Sequence, residues 1–482
     1  MSESTKQPKG KYRYLAGNIA LFSVSNFVTK ILVFLLVPLY TDVLTTSEYG
    51  IADIMQVTLL LLVPALTLNI GEAALRFGIE ETDRRGSILR IGLSYVLRAD
   101  AIVIGLCICA FSFATEDVKR YIFMFAILFI ANSLFEFLTL YFQGCEAVPV
   151  VVLGSITSTT VMIVSNIVFL LVIKLGLNGY IYSQIIAYTL ASLVMLIIGR
   201  GQCTNITKDE ELRGRMLVYS VPLIAYSTGS WVNNAADRYI VLALCGVAVN
   251  GVYGVAYKIP AILMVFQRIF AQAWQMSATK SYKDDKSDEF FTKMYRTYNC
   301  FMVIGCALLI ILVNPIASFM FRKEFYGAWI FVPPLLISVI FGALTGFLGS
   351  ICLAHKDSKS MGVATSTGAI LNVILNFVLI PHFGAMGAAV ATAVSYALMC
   401  ALAYRFVSKY VNIDNNTVVD ILAYLILIAI SVAMIGQVSW RYVICTVLAA
   451  VLVLLYLTDV RTVVASFAAI VKNRLNGNRK DI

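Results

Sequence analysis

The sequence predicts an all-α polytopic membrane protein with about 14 transmembrane helices, arranged as two pseudo-symmetric six-helix lobes and two C-terminal helices. Composition, regularly spaced apolar segments and an internal repeat predict this fold. Of the 482 residues, 60% are hydrophobic and only 13% are charged, and the mean hydropathy is +0.84. Because soluble domains carry about 25% charged residues, this composition excludes a soluble protein with an ordinary surface.

Polar breaks divide the chain into apolar segments close to the length of about 20 residues that a helix needs to cross a bilayer. The short apolar stretch 239 to 250 is interpreted as an extension of the seventh span or an interfacial turn. The predicted spans are 14 to 40, 49 to 71, 91 to 113, 121 to 142, 149 to 173, 179 to 199, 216 to 238, 250 to 274, 297 to 320, 330 to 353, 361 to 381, 386 to 404, 417 to 436 and 442 to 460.

Positive charge predicts how these spans are oriented. Cytoplasmic loops of membrane proteins hold an excess of Lys and Arg, and placing the N-terminus in the cytoplasm puts most of the 37 Lys and Arg residues on that side. The few on the opposite side are Lys119, Arg120, Lys174, Arg322, Lys323 and Arg441. Both termini are therefore predicted to be cytoplasmic, and the net charge of +10 needs no nucleic-acid partner.

A repeat predicts two related halves. Tyr49-Gly50-Ile51-Ala52 recurs as Tyr253-Gly254-Val255-Ala256, and Gly176-Leu-Asn-Gly179 recurs as Gly384-Ala-Met-Gly387. Transporters are often built from such repeats. We expect an N-lobe at 14 to 199, a C-lobe at 216 to 404 and two further spans at 417 to 460, with cytoplasmic segments at 1 to 13, 200 to 215 and 461 to 482.

Few residues are suited to catalysis or to binding a metal. The chain has two histidines and ten cysteines, no Cys-x-x-Cys pair and no GxxxxGK[ST] phosphate loop. We therefore expect a protein that is not an enzyme and has no cofactor or metal site, with H⁺ or Na⁺ as candidate coupling ions.

Polar residues within the spans are the candidate site. Asn26 and Lys30 share a face of span 1, since they are four residues apart. The alternative is that Asn26 packs against another helix while Lys30 reaches the interface. In span 7, Ser227, Ser230, Asn234 and Asp237 form a polar stripe that either lines water or hydrogen-bonds a neighbouring helix.

Cations follow that stripe. Arg238 ends span 7, and Lys258 and Arg268 lie in span 8, where Pro260 predicts a kink. Lys and Arg are natural ligands for phosphate groups. A cavity between the lobes lined by Lys30, Arg238, Lys258, Arg268, Asn26, Asn234 and Asp237 predicts transport of an anionic solute by alternating access.

Three segments resemble a known family. These are FLLVPLYTDVLTTSEYG at 34–50, Asp237-Arg238-Tyr239 with GVYGVAYKI at 251–259, and Asn372 to Asn376 leading into IPHFGAMGAA at 380–389. They are similar to the Wzx-type bacterial polysaccharide-biosynthesis, or O-antigen, flippases of the multidrug/oligosaccharidyl-lipid/polysaccharide (MOP) exporter superfamily, which also contains the MATE multidrug exporters. The resemblance covers the first twelve spans.

The resemblance implies translocation of an undecaprenyl-diphosphate-linked oligosaccharide from the cytoplasmic to the outer leaflet of the bacterial cytoplasmic membrane. Its implied partners are this lipid-linked oligosaccharide, the bilayer, and a polysaccharide polymerase and glycosyltransferases, without nucleic acid. The alternatives are a peptidoglycan lipid-precursor flippase, a cation-coupled multidrug exporter, a membrane polymerase or glycosyltransferase, and a membrane scaffold that transports nothing.

The predicted orientation can be tested with an impermeant thiol reagent. We expect a single cysteine introduced at Lys208, on a background without native cysteines, to remain unlabelled in intact cells and to react after permeabilisation. A cysteine at Glu116, beside the loop that holds Lys119 and Arg120, should react in intact cells and serves as the control. Strong labelling at position 208 in intact cells would contradict the topology.

Overall fold

A computed structural model of the chain describes residues 34–202, 206–281, 287–355, 357–413, 416–459 and 461. Within those ranges the protein is helical and has no strand, which confirms the predicted all-α class. Its α-helices are α1 Val37–Val43, α2 Thr46–Leu66, α3 Ile70–Glu80, α4 Arg85–Phe111, α5 Glu116–Gly144, α6 Val148–Asn166, α7 Leu177–Ile198, α8 Glu210–Cys245, α9 Val247–Ala256, α10 Pro260–Ser281, α11 Ser287–Ile311, α12 Val313–Met320, α13 Val332–Ala354, α14 Ser358–Phe383, α15 Ala385–Val407, α16 Thr417–Ile435 and α17 Arg441–Leu455.

Ten of these described helices, some with a flanking turn, are long and apolar enough to cross a membrane. An eleventh span is α9 with the first part of α10, which is bent by 48° at the break before Pro260, where the sequence predicted a kink. The predicted spans 216 to 238 and 442 to 460 are helical, as α8 and α17, but neither is among the described helices that are long and apolar enough to cross a membrane, since α8 carries the polar stripe and α17 has only 15 residues. The first predicted span lies largely outside the described residues. The chain is thus a multi-pass membrane protein.

The chain divides into two compact units, Met1–Trp231 and Val232–Ile482, and the division falls inside α8. In the first unit, one apolar core surrounds Phe137, Tyr141 and Phe142 of α5. A second core surrounds Leu128 and Phe129 on the same helix. Because α5 contributes to both cores, it is the central helix of this unit.

Two glycines show the repeat in the backbone. Gly176 precedes α7 with φ 57° and ψ −135°, and Gly384 precedes α15 with φ 57° and ψ −145°. Glycine adopts positive φ without the steric penalty that a Cβ brings. The two halves therefore start corresponding helices with the same left-handed residue, as expected from the repeated Gly-x-x-Gly sequence.

In the second unit, α13 is the central helix, since 78% of the most apolar window in its span is buried within the protein.

The C-terminal helices attach to this unit through a buried polar network. Asn299 of α11 donates to Asp420 of α16 at 2.8 Å and to the Tyr456 hydroxyl at 3.1 Å, and it accepts from Tyr424 at 3.0 Å. Tyr456 donates to the same Asp420 oxygen at 2.8 Å. A polar network thus fastens α16 and the end of α17 to α11.

Breaking this network should destabilise the protein. We expect Asn299→Leu to lower the apparent melting temperature in detergent, because a hydrogen bond to a charged group contributes about 1.5–3 kcal/mol. The control is Ser431→Ala, whose hydroxyl donates only to Leu427 one turn earlier in its own helix, at 2.8 Å. Equal melting temperatures for the two variants would show that the network is not stabilising.

Candidate functional site

A group of buried and half-buried polar side chains in the second unit lies where the end of α8 meets α9, α14 and α15. We call it the Asp237 cluster. Its members are Asp237, Tyr253, Tyr257, Asn372, Asn376 and Thr392.

Asp237 is the acidic centre of the cluster and is only 3% exposed. Its Oδ2 accepts hydrogen bonds from the hydroxyls of Tyr253 at 2.6 Å, Tyr257 at 2.7 Å and Thr392 at 3.4 Å. The two tyrosines reach the same oxygen because they are separated by four residues at the end of α9. Asp237 Oδ1 accepts no hydrogen bond within the described part of the chain. One carboxylate oxygen is therefore saturated with donors, while the other retains its acceptor capacity.

Two buried amides extend the cluster. Asn372 donates to the Thr392 hydroxyl at 3.3 Å, and Asn376 donates to Oδ1 of Asn372 at 2.9 Å. The Oδ1 atom of Asn376, a residue with 0% exposure, has no donor among the residues that the structure describes. Carboxylate, amide and hydroxyl oxygens are the ligands that hard cations prefer. The chemistry of the cluster therefore suits a proton or a small monovalent cation.

The described residues contain no group of three or more His, Cys, Asp or Glu side chains that could hold a metal ion. A site for zinc or another transition metal would need such ligands. Within the Asp237 cluster, Asp237 is the one acid, and the other oxygen-bearing side chains are neutral.

Arg238 follows Asp237 directly and contacts the same tyrosine. Its guanidinium carbon lies 4.4 Å from the centre of the Tyr257 ring, which is cation–π geometry. One turn earlier on α8, the exposed Asn234 accepts a hydrogen bond from the Tyr396 hydroxyl at 2.8 Å. The structure thus joins Asp237 and Arg238 through Tyr257. It also places Asn234, on a more open part of α8, against Tyr396 of α15.

The other predicted site residues have different positions. Lys258 is half-buried in the break between α9 and α10. Arg268 is exposed on α10, and among the described residues no hydrogen bond or ion pair joins it to the Asp237 cluster. Asn26 and Lys30 lie outside the described residues.

The predicted polar stripe of α8 belongs to both units. Ser227, at its start, accepts a hydrogen bond from Asn69 of the first unit at 3.1 Å. Trp231 donates through its indole nitrogen to the carbonyl of Val57, also in the first unit, at 2.8 Å. Asn234 and Asp237 belong to the second unit. Ser227, Asn234 and Asp237 thus each hydrogen-bond a side chain outside α8, as in the second reading of the stripe, and Asn234 is exposed as well.

Several members of the site were not predicted. Tyr253, Tyr257, Asn372, Asn376 and Thr392 were not among the candidate residues. Two amides four residues apart within an apolar span are a signal that could have identified Asn372 and Asn376. Nothing in the order of the sequence indicates that α9 and α15 supply donors to one carboxylate.

The repeat relates the two lobes at the residues of the site. The residue-number offset of 208 that relates Gly176 to Gly384 also relates Asn26 to Asn234, Lys30 to Arg238 and Tyr188 to Tyr396. Each half of the sequence thus has an amide followed four residues later by a cation at the corresponding position.

Three comparisons describe what the chain is similar to. A probable low-salt glycan biosynthesis flippase, Agl15 of Haloferax volcanii, is 27% identical over 214 residues, which are 44% of this chain and 45% of that protein, so the match spans less than half of the relative's length. A lipid II flippase, MurJ, in an inward closed conformation superimposes with a TM-score of 0.66 at 15% identity, covering 93% of this chain and all of that chain. An inward-facing MATE multidrug resistance transporter of the MOP superfamily gives a TM-score of 0.68 at 12% identity over 79% of this chain and 94% of that one.

At such identities the two structural likenesses establish the fold, and they confirm the MOP-like architecture predicted from the sequence. The sequence model of one family, described as polysaccharide biosynthesis protein, matches residues 15–275, more than half of the chain. That range includes α2 to α9, with Asp237, Arg238 and both cluster tyrosines. The chain belongs to the polysaccharide biosynthesis protein family.

Proposed function

We propose that the protein is a flippase that moves an undecaprenyl-diphosphate-linked oligosaccharide from the cytoplasmic to the outer leaflet for surface polysaccharide assembly. The observation that carries the proposal is the Arg238 guanidinium, held over the Tyr257 ring at 4.4 Å within the apolar helices of a polysaccharide biosynthesis protein. A charge at the bilayer centre costs about 2.5–3.5 kcal/mol on insertion scales. A cation retained at that cost is well suited to bind an anionic group of the cargo.

The cargo's diphosphate is the group that such a cation recognises. Arg binds phosphate oxygens through a planar fork of donors, and Lys binds them as a compact point charge. We propose that Arg238 and Lys258 contact the diphosphate, together with Lys30 and Arg268, and that Asn26 and Asn234 hydrogen-bond the adjoining sugar. Asp237 carries the opposite charge, so its proposed part is to hold a coupling cation.

The energy for export can come from ions and the membrane potential. Moving one negative charge out of a cytoplasm at negative potential is favoured by about 2.3 kcal/mol per 100 mV. The oxygen ligands of the Asp237 cluster suit H⁺ or Na⁺ as a coupling ion. We propose alternating access by the two repeated units in the bacterial cytoplasmic membrane, with both termini in the cytoplasm.

A second candidate function is translocation of a peptidoglycan lipid precursor. The likeness to the lipid II flippase favours it, because that superposition extends over 93% of this chain. Both cargoes present a lipid-linked diphosphate, so the cationic residues serve either function equally. Complementation separates the two, since rescue of a strain lacking its peptidoglycan-precursor flippase, without rescue of surface polysaccharide, would favour the second candidate.

Polymerases and glycosyltransferases of the same glycan are the proposed protein partners. A flipped oligosaccharide has to be assembled on one side of the membrane and polymerised on the other. The proposal includes no nucleic-acid partner and no chemical step on the cargo by this chain.

Removal of the cations should stop export. We expect Arg238→Gln and Lys258→Gln each to reduce surface polysaccharide by roughly tenfold or more in a complemented flippase-null strain, since a charged hydrogen bond contributes about 1.5–3 kcal/mol. Quantitative immunoblotting of membranes should show unchanged protein levels.

The matched control for these variants is Arg120→Gln, which neutralises an exposed cation at the start of α5, away from the cluster. This variant should export normally. Wild-type polysaccharide levels in both the Arg238 and the Lys258 variants would contradict the proposal that these cations bind the diphosphate of the cargo.

A further inference from the structure

Tyr257 contacts the acid and the base of the site at the same time. Its hydroxyl donates to Asp237 Oδ2 at 2.7 Å, and its ring lies 4.4 Å beneath the guanidinium of Arg238. Asp237 and Arg238 are consecutive residues, so their side chains leave α8 in different directions. Tyr257 is the side chain that joins them.

We propose that Tyr257 couples cation occupancy of the Asp237 cluster to anion binding at Arg238, so that each event raises the affinity for the other. The inference rests on the proposed function, because it assigns the anion site to Arg238. It adds a positioning residue and a direction of coupling. The cation chemistry is that of a monovalent ion that neutralises the carboxylate, either Na⁺ or a proton.

The direction of the coupling follows from the two contacts. A hydroxyl that donates to a carboxylate forms a charge-assisted hydrogen bond, which is stronger than a neutral one. Such a bond polarises the phenol and makes its ring a better partner for a cation. With Asp237 unoccupied, Tyr257 therefore holds the guanidinium firmly. A cation bound at Oδ1 of Asp237 weakens the hydrogen bond from Tyr257. The cation–π interaction between the Tyr257 ring and Arg238 then becomes weaker as well, so that Arg238 binds an anion more readily.

The position of Tyr257 in the fold suits this role. Tyr257 is half-buried at the end of α9, where α9 and α10 bend by 48°, so its backbone lies at a break in the helix. The neighbouring Tyr253 has 0% exposure, and its ring packs edge-on against Phe331 at 5.9 Å. Both hydroxyls bind the same carboxylate oxygen, but among the described contacts only the Tyr257 ring lies under Arg238. Tyr253 is thus a natural control residue.

Asp237 has ionisable neighbours on each helix that contributes to the cluster, except α14, which contributes the amides Asn372 and Asn376. Arg238 precedes the end of α8, Tyr253 and Tyr257 belong to the end of α9, and Tyr396 of α15 is within electrostatic range of the carboxylate. Among these described neighbours Arg238 is the permanent cation. Neutralisation of Asp237 therefore changes the balance of charge chiefly at Arg238.

The test measures diphosphate binding with and without the cation. The probe is farnesyl diphosphate, and the protein is the full-length chain in nanodiscs, titrated in sodium chloride and in choline chloride of equal ionic strength, at pH 5.5 and 7.5. For the wild type we expect about fivefold or greater tightening with sodium or at the lower pH, since coupling between sites is typically about 5–150-fold. The sodium and pH arms distinguish Na⁺ from a proton.

Tyr257→Phe keeps the ring and removes the hydroxyl, so binding should persist with less than about twofold dependence on the cation. Tyr253→Phe, which also removes one donor to Asp237 Oδ2, should retain the wild-type dependence. Asp237→Asn provides a second, independent variant, and its affinity should equal that of the cation-bound wild type under all conditions. Reciprocally, farnesyl diphosphate should increase thermal stabilisation by the cation in the wild type but not in Tyr257→Phe.

The outcomes separate this inference from the proposed function. Wild-type cation dependence in Tyr257→Phe, or the absence of any dependence in the wild type, overturns the coupling while leaving diphosphate binding intact. If the wild type does not bind the probe, or if Arg238→Gln binds it as the wild type does, the anion site itself is wrong and the proposed function loses its support.

Discussion

A carboxylate within the membrane-spanning helices is the constraint on which the site depends. Asp237 is only 3% exposed, and a buried acid whose oxygens are left without donors is expensive. Three hydroxyls therefore converge on one of its oxygens. To supply them, α9 ends with two tyrosines four residues apart and α15 contributes Thr392. The local arrangement of α8, α9 and α15 is thus built around one acidic side chain.

The same constraint explains why the site contains both a cation and an anion. The guanidinium of Arg238 lies over the face of the Tyr257 ring, and the hydroxyl of Tyr257 donates a hydrogen bond to Asp237. The side chain of Tyr257 is therefore in contact with both opposite charges, Arg238 and Asp237. This shared contact with Tyr257 is the geometry on which the proposed coupling of cation and anion binding rests.

The two halves of the chain share a backbone plan but differ in polar chemistry. Gly176 and Gly384 have the same left-handed conformation before corresponding helices. At the offset that relates these glycines, Gln184 in the first half corresponds to Thr392 in the second. Gln184 is hydrogen-bonded to Gln56, a neutral amide pair, whereas Thr392 donates to a carboxylate. The duplicated halves therefore differ at a position that, in the second half, contacts the proposed ion site.

Composition and periodicity by themselves determined the membrane class, the helical fold, the approximate spans and the repeat, because apolar length and charge pattern are properties of local sequence. They also identified Asn234, Asp237 and Arg238 as unusual, since polar groups in an apolar helix stand out. Only the tertiary structure decided which donors surround Asp237, that Tyr257 lies under Arg238, and that Arg268 is exposed apart from the cluster. Those facts depend on contacts between helices distant in sequence, such as α8 with α15, and an apolar helix carries no signal that specifies its neighbour. The physical reason is that the polarity of a side chain is a property of the local sequence, whereas the contacts between helices depend on how their surfaces pack in the folded protein.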